Sequence, residues 1–215
     1  MRIIRLIKKN NNVLVQLDTD EQLILNYELV VRESLRKNDE LSQDKIDFLI
    51  QENQKFNIRQ RALNLLARRL HSSGEIRTKL RSKGFEKHLV DSVVDQLSES
   101  NLIDDRRFAR AFIDEKRRIR NWSINRIRKE LYKRGIRQDI IKAILTDVET
   151  DDTEKEHAFN IAIRKYKLLS QRFTDQRKIR QKLIASLLAK GFDFAICKEV
   201  TDTILGEAEN DTQLE

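Results

Sequence analysis

The sequence has no proline and only five glycines among its 215 residues, so few residues interrupt helices. Its single cysteine, Cys197, excludes an internal disulfide framework and is typical of a reducing compartment. It has no run of about 18 apolar residues, as a membrane span requires, and no apolar signal-peptide core follows its basic start. We therefore predict a mostly helical, cytoplasmic protein without a membrane span.

Residues arranged for catalysis or metal binding are also scarce. The three histidines are scattered, and none stands at metal-ligand spacing from Cys197. No glycine-rich loop of the kind that cradles phosphates is present. Asp104 and Asp105 are adjacent, but such a pair just before a helix is more often an N-cap and a complement to the helix dipole than an acid or metal pair. The sequence thus predicts no enzyme, no metal, no cofactor and no small-molecule substrate.

One phrase occurs three times in the chain. Each copy has a leucine, two variable residues, a base, a glycine and an apolar residue, at residues 80–85, 131–136 and 187–192. Apolar residues follow five, six, nine and thirteen positions after each glycine, which is helical spacing; the last of these in the second copy is Val148. A period of roughly 50 residues is typical of stacked modules that form an extended binding surface.

The remaining signals predict how the chain is organised. β-Branched and aliphatic runs at residues 2–8, 13–17 and 22–25 indicate a three-stranded meander, followed by a helix over residues 27–37. The predicted parts are an N-terminal β-meander and helical extension (1–57), three-helix repeats at 58–103, 104–150 and 151–208, and a disordered acidic tail (209–215).

Helix ends are also predictable from the sequence. Ser42 caps a helix from residue 43 to about residue 70, unless the polar residues 51–57 form a hinge. Ser72 and Glu75 fit a capping box, and each repeated glycine is expected at a helix C-terminus with positive φ. The repeat helices are expected near residues 58–70, 73–84, 86–99, 105–120, 123–134, 137–149, 153–170, 175–190 and 193–207.

Three separated stretches carry a resemblance to a known family. Residues 62–69 (ALNLLARR), 72–80 (SSGEIRTKL) and 102–110 (LIDDRRFAR) together resemble RecX proteins, bacterial modulators of the RecA recombinase. The resemblance is strongest between about residues 62 and 148, where three motifs occur in order. After residue 150 only the repeated phrase and its following helix match.

The resemblance implies a non-enzymatic, elongated and curved molecule of three tandem three-helix repeats. It implies that the chain binds RecA filaments on single-stranded DNA and reduces strand exchange, ATP hydrolysis and coprotease activity. The implied setting is DNA repair, the regulation of recombination and the SOS response. In one respect the sequence departs from the family: residues 117–122 are strongly basic where members often carry an acidic or small turn residue, and this favours direct DNA contact.

The excess positive charge lies in repeat two. The chain has 43 basic and 35 acidic residues, a formal charge of +8, whereas residues 106–137 alone hold thirteen bases and three acids, a local charge of +10. We expect this surface to face a polyanion; the alternative is a solvated helix face. The candidate partner- or DNA-binding residues are Arg68, Arg69, Arg77, Arg81, Lys83, Arg110, Lys116, Arg117, Arg118, Arg120, Arg126, Arg128, Lys129, Lys133, Arg134 and Arg137.

Spacing makes two finer predictions for these residues. Bases at i, i+3, i+7 and i+11 are expected to share one side of the second helix of repeat two: Arg126, Lys129, Lys133 and Arg137. Reversing the charge at Arg117, Arg118, Arg126 and Lys133 is expected to leave the fold intact, because these positions lie off the apolar stripes. Trp122 either stacks on a base or a partner side chain, or packs one turn into the helix as a hydrophobic staple.

Two other functions are open at this stage. A stand-alone DNA- or RNA-binding protein is one, since a capped helix, a glycine and a second helix also begin a helix-turn-helix. Against it, the helices beside the turns carry no Asn, Gln and Arg set placed for base edges. A purely structural scaffold is the other, and it leaves the local charge of +10 unexplained.

Overall fold

A computed structural model describes the backbone of residues 1–146 and 151–212, and the side chains of residues 1–146 and 153–207. Val148 and residues 213–215 of the predicted tail lie outside the described residues. The chain divides into two compact units, Met1–Ile103 and Asp104–Glu215.

The first unit begins with the predicted three-stranded meander. Strands β1 (Ile3–Lys9), β2 (Asn12–Leu17) and β3 (Gln22–Asn26) pair antiparallel in the order β1-β2-β3. Alternate residues of β2 are buried, because successive side chains of a strand point to opposite faces. This one-sided burial gives the sheet a core face against the helices that follow.

Helix α1 (Tyr27–Arg32) is shorter than the predicted helix over residues 27–37. Ser34 has a left-handed backbone with φ of +54°, which ends the helical path. The Ser42 hydroxyl accepts the Lys45 N–H at 3.2 Å, so the predicted cap of the next helix is confirmed.

Helix α2 (Gln43–Leu66) is continuous through the polar residues 51–57, so the hinge interpretation is wrong. Its first half packs in the core of the sheet through Ile46, and its second half packs in the core of repeat one through Ile58. One helix therefore serves two cores, and the boundary predicted between residues 57 and 58 lies inside it.

Repeat one is completed by α3 (Ser73–Arg81) and α4 (Lys87–Glu99). The Ser72 hydroxyl accepts the Glu75 N–H at 3.0 Å, which is the serine half of the predicted capping box. Both helices pack on the second half of α2, and Leu97 is among the residues fully buried between them.

The second unit holds repeats two and three. Repeat two comprises α5 (Asp105–Arg118), α6 (Ile124–Lys133) and α7 (Gln138–Leu145). The Asp104 carboxylate accepts the Arg107 N–H at 2.9 Å, so its interpretation as an N-cap is confirmed.

Repeat three comprises α8 (Asp151–Ser170), α9 (Gln176–Lys190) and α10 (Phe194–Thr212). Helix α10 continues beyond residue 207, where the prediction ended it, and includes residues 209–212 of the predicted tail. The tail was predicted from its acidic composition, but this stretch contains neither proline nor an internal glycine to break a helix.

The repeated phrase has the same structural meaning in all three copies. Leu80, Leu131 and Leu187 are all buried, with 2%, 0% and 1% of their surface exposed. The glycines that follow have φ of +85°, +75° and +91°, as predicted. Each phrase therefore supplies a core leucine and then a left-handed residue that turns the chain into the next helix.

Candidate nucleic-acid interface

Helix α6 separates a buried apolar face from an exposed basic face. Ile127 and Leu131 are fully buried in the core of repeat two. Arg128, Lys129 and Lys133 are exposed on the other side. The helical period of 3.6 residues produces this division, so the apolar stripe that folds the repeat also directs these bases to solvent.

A groove of about 850 Å³ lies between α6 and α7. Ile141 and Leu145, which are 3% and 1% exposed, contribute its apolar surface. Tyr132 also lines the groove, yet 70% of its surface is exposed. The basic residues that line it are Arg128, Lys129, Lys133 and Lys142.

These basic residues differ in their partners. The Lys133 ammonium lies 3.1 Å from a Glu130 carboxylate oxygen, and Arg128 donates to the Asn125 side-chain oxygen at 2.7 Å. Among the described side chains, no carboxylate lies within ion-pair distance of Lys129 or Lys142. The groove therefore combines apolar surface, an exposed aromatic ring and positive charge that its described neighbours do not fully neutralise.

Two of the predicted site residues instead connect repeats two and three. Arg117 forms an ion pair with Glu154, and the other oxygen of that carboxylate accepts the Ile124 N–H at 3.3 Å. Arg126 donates to the Ala189 carbonyl. The Arg117 and Glu154 side chains are only 19% and 14% exposed.

These contacts oppose the expectation that reversing the charge at Arg117 and Arg126 leaves the fold intact, because both side chains bind groups of repeat three. Spacing along one helix shows which positions avoid that repeat's own core, but it does not show a partner on a helix of another repeat. Of the four bases expected on one side of α6, only Lys129 and Lys133 line the groove. Arg137 is wrongly placed by that prediction, because α6 ends at Lys133 and Arg137 is the N-cap of α7.

Trp122 packs on its own repeat. Its ring is edge-on to Phe112 with centroids 6.3 Å apart, and the Arg126 guanidinium lies 4.1 Å from its centroid. The structure therefore supports a packing role for Trp122 rather than an open stacking surface. Its aromatic partner, Phe112, lies on α5.

Three further predicted residues of repeat two pair locally. Arg134 donates to Glu130 at 2.7 Å, and this bond is the main reason that the pKa of Glu130 lies below its ordinary value. Lys116 lies 2.6 Å from Glu115. Arg137 pairs with Asp139 and lowers the pKa of that carboxyl to about 2.

Three others are exposed: Arg110, Arg118 and Arg120. None of them has an ion-pair partner among the side chains that the structure describes. The Arg120 carbonyl accepts the Lys190 ammonium at 3.2 Å, so the backbone at this position belongs to the contact between repeats two and three.

The predicted bases of repeat one are mostly neutralised. The Arg77 Nε lies 3.2 Å from Asp91 and its Nη2 lies 2.5 Å from Asp95. The Arg81 guanidinium lies 2.5 Å from the same Asp91 oxygen. Arg69 pairs with Glu75 at 3.1 Å. Arg68 and Lys83 line a separate groove of about 420 Å³ beside α2 and α3.

Sequence reasoning missed two residues of the α6–α7 groove, Tyr132 and Lys142. Tyr132 occupies a variable position of the repeated phrase. Because it directly follows the core leucine Leu131, its side chain points away from the core, and this position is the signal that could have identified it. Lys142 lies beyond the basic window of residues 106–137, so a count of charge along the chain leaves it out.

The described residues contain no cluster of three or more His, Cys, Asp or Glu side chains that could hold a metal ion. Cys197 is buried, and burial raises the pKa of its thiol to about 11. None of the helices in the described part of the chain has both the length and the hydropathy that a membrane span requires.

Comparison with known proteins gives consistent matches along the chain. Family models for the first, second and third three-helix domains of RecX match residues 59–97, 104–145 and 152–201. The chain is 30% identical to a regulatory protein RecX of Clostridium perfringens (strain 13 / Type A) over 90% of both chains. It is 28% identical to a regulatory protein RecX of Clostridioides difficile (strain 630) over 95% of both.

Solved structures support the same fold. A crystal structure of regulatory protein RecX matches with a TM-score of 0.69 at 21% identity, covering 94% of this chain and 98% of the other. A crystal structure of RecX from Lactobacillus salivarius matches with a TM-score of 0.59 at 24% identity, covering 71% of this chain and 97% of the other. Three successive domain matches, together spanning more than half of the sequence, and relatives along nearly its whole length show that the chain belongs to the RecX family.

Proposed function

We propose that this chain is a cytoplasmic, non-catalytic regulator that binds the RecA recombinase and its filament on single-stranded DNA. Bound there, it inhibits strand exchange, ATP hydrolysis and coprotease activity in DNA repair and recombination. Membership of a family of regulatory proteins supports the class of function. The observation that carries the site is the exposed basic face of repeat two around Lys129, Lys133 and Lys142.

Charge gives this proposal its physical basis. A nucleoprotein filament repeats phosphates along its length, so several weak contacts from linked modules combine into a strong one. The bases that face solvent in repeat two are available for such contacts, whereas Arg117 and Arg126 serve the contact with repeat three. The exposed bases, rather than the whole basic segment, are therefore the proposed contact.

The test is a strand-exchange reaction driven by a bacterial RecA recombinase, with increasing amounts of this chain. Wild type is expected to inhibit exchange, and the variant Lys129→Glu/Lys133→Glu/Lys142→Glu to inhibit much less. The matched control is Lys165→Glu/Lys167→Glu/Lys178→Glu, which makes the same change in net charge at exposed positions outside the groove. Wild-type chain without any inhibition would contradict the function, and equal inhibition by all three proteins would contradict the site.

A stand-alone nucleic-acid-binding protein remains a second candidate, and the exposed Tyr132 beside several bases is the observation that favours it. A titration of bare single-stranded DNA against the recombinase-coated strand separates the two. Tighter binding to the coated strand is expected of a filament regulator, whereas equal or tighter binding to the bare strand supports the second candidate.

A further inference from the structure

We propose that the groove between α6 and α7 binds single-stranded DNA directly, with one base stacked on Tyr132 and the flanking phosphates on Lys129, Lys133 and Lys142. The inference deepens the proposed function, on which it rests, by assigning one part of the footprint to the DNA strand. Tyr132 lines the groove, and 70% of its surface is exposed. A tyrosine ring left in water above apolar surface offers a flat face to another flat group.

The corresponding position in repeat one is occupied differently. Counted from the two glycines, Tyr132 corresponds to Arg81 and Lys142 corresponds to Asp91. Arg81 and Asp91 form an ion pair at 2.5 Å, and Asp91 also accepts Arg77 at 3.2 Å. Repeat one thus neutralises Arg77 and Arg81 with its own carboxylate, whereas repeat two has the cation Lys142 in place of that carboxylate.

Repeat three lacks the combination as well. Counted from Gly191, the position of Tyr132 holds Leu188 and the position of Lys142 holds Lys198. An exposed leucine has no π-face on which a base can stack. The aromatic ring and the unneutralised lysine thus occur together at this face only in repeat two, among the parts of the repeats that the structure describes.

The chemistry of the groove favours a nucleic-acid strand over an acidic peptide. Lys129 and Lys133 lie three residues before and one residue after Tyr132 on the same helix, so cations lie on both sides of the ring along the helix. A single strand alternates a flat apolar base with a phosphate, and proteins bind it by combining aromatic rings with a basic groove. An acidic peptide matches the charge, but its carboxylates gain nothing from the flat face of the ring.

The inference is tested with the full chain and a fluorescein-labelled oligothymidylate, by fluorescence anisotropy. Tyr132→Ala is expected to weaken binding roughly five- to 150-fold, the range found for removing one base–aromatic stack. Tyr132→Phe keeps the ring and is expected to bind like wild type. The variant Lys129→Ala/Lys142→Ala is expected to lower the slope of log affinity against log salt by about 0.7 for each lysine.

Three outcomes decide the matter. Loss with Tyr132→Ala but not with Tyr132→Phe supports the groove as the DNA site. Unchanged binding by Tyr132→Ala overturns it, and so does an aspartate-rich peptide carrying one phenylalanine that displaces the oligonucleotide and binds more tightly. Inhibition of strand exchange by the wild-type chain is measured in parallel. If wild type inhibits exchange and Tyr132→Ala binds DNA normally, the groove is not the DNA site, but the proposed function stands.

Discussion

Repeats one and two have equivalent core positions, but they differ in the charges on the surface formed by their second and third helices. In each, a phrase leucine is buried and a glycine with positive φ follows. Across the second and third helices of repeat one, Asp91 binds two arginines, whereas Lys142 stands at that position in repeat two beside an exposed tyrosine. The repeat therefore specifies a scaffold, and a few solvent-facing positions decide what each copy can bind.

The cores offer the test with the largest expected effect. Leu80→Ala and Leu131→Ala each remove a fully packed side chain from equivalent places, so each is expected to lower the free energy of unfolding by about 2–5 kcal/mol. Urea unfolding of the full chain, followed by circular dichroism, measures both. A near-neutral Leu131→Ala would show that the two cores are not equivalent.

The glycines are expected to differ by what surrounds them. Gly84 and Gly191 both have positive φ, but an added Cβ at Gly84 meets nothing within 4 Å. At Gly191 it lies 2.6 Å from Arg126 Cβ and 2.9 Å from Ser123 Oγ. We expect Gly84→Ala to cost about 1 kcal/mol from backbone strain alone, and Gly191→Ala about 2–4 kcal/mol because crowding is added. Equal losses of unfolding free energy for the two variants, measured with urea, would mean that Gly191 is not packed closely against the start of α6.

Some bases of repeat two bind groups of repeat three, whereas others are exposed to solvent. Substitutions at the neighbouring residues Arg117 and Arg118 test this division. Arg117→Glu places a second carboxylate against Glu154 in a mostly buried position, so it is expected to destabilise the chain by about 2–3 kcal/mol. Arg118→Glu, on the exposed side, is expected to change stability by no more than about 0.5 kcal/mol. Thermal unfolding of both variants at one salt concentration makes the comparison, and an equal loss from both would refute the division.

The smallest expected effect concerns His157, a partly buried histidine of repeat three. The His157 Nε2 has no hydrogen-bond partner among the described atoms. Burial, followed by Arg117, Lys190 and Arg164, lowers the pKa of His157, against an opposing effect of Glu154. The unfolded chain therefore binds more protons near the ordinary value of 6.5, and the stability that the neutral ring contributes is lost as the pH falls below it.

Replacing the ring isolates this contribution. His157→Phe removes the titrating group beside Phe192, whose ring centroid lies 5.7 Å away. The free energy of unfolding, measured by urea titration between about pH 7 and pH 5, is expected to fall less steeply in this variant than in wild type. His71 also has a pKa lowered mainly by burial, so part of the slope is expected to remain. An unchanged slope would exclude His157 as a contributor.

The sequence was sufficient for the repeated scaffold, because that scaffold depends on apolar spacing, serine or aspartate caps and glycines at left-handed positions. It could not decide whether residues 51–57 form a hinge or continue α2, since a polar stretch is compatible both with a loop and with an exposed part of a helix. It also could not sort the bases of repeat two. Arg117 and Arg118 are adjacent in the chain, yet only Arg117 meets a carboxylate from α8.

The most direct test gives repeat two the carboxylate that repeat one has at the same position. Lys142→Asp places a carboxylate where Asp91 binds Arg77, and the matched control Lys167→Asp makes the same charge change at an exposed position of α8. The measurement is the affinity of each folded variant for oligothymidylate. We expect Lys142→Asp to lose affinity at least about tenfold, equivalent to about 1.4 kcal/mol, and the control to change little. Equal affinities for the two variants would contradict it.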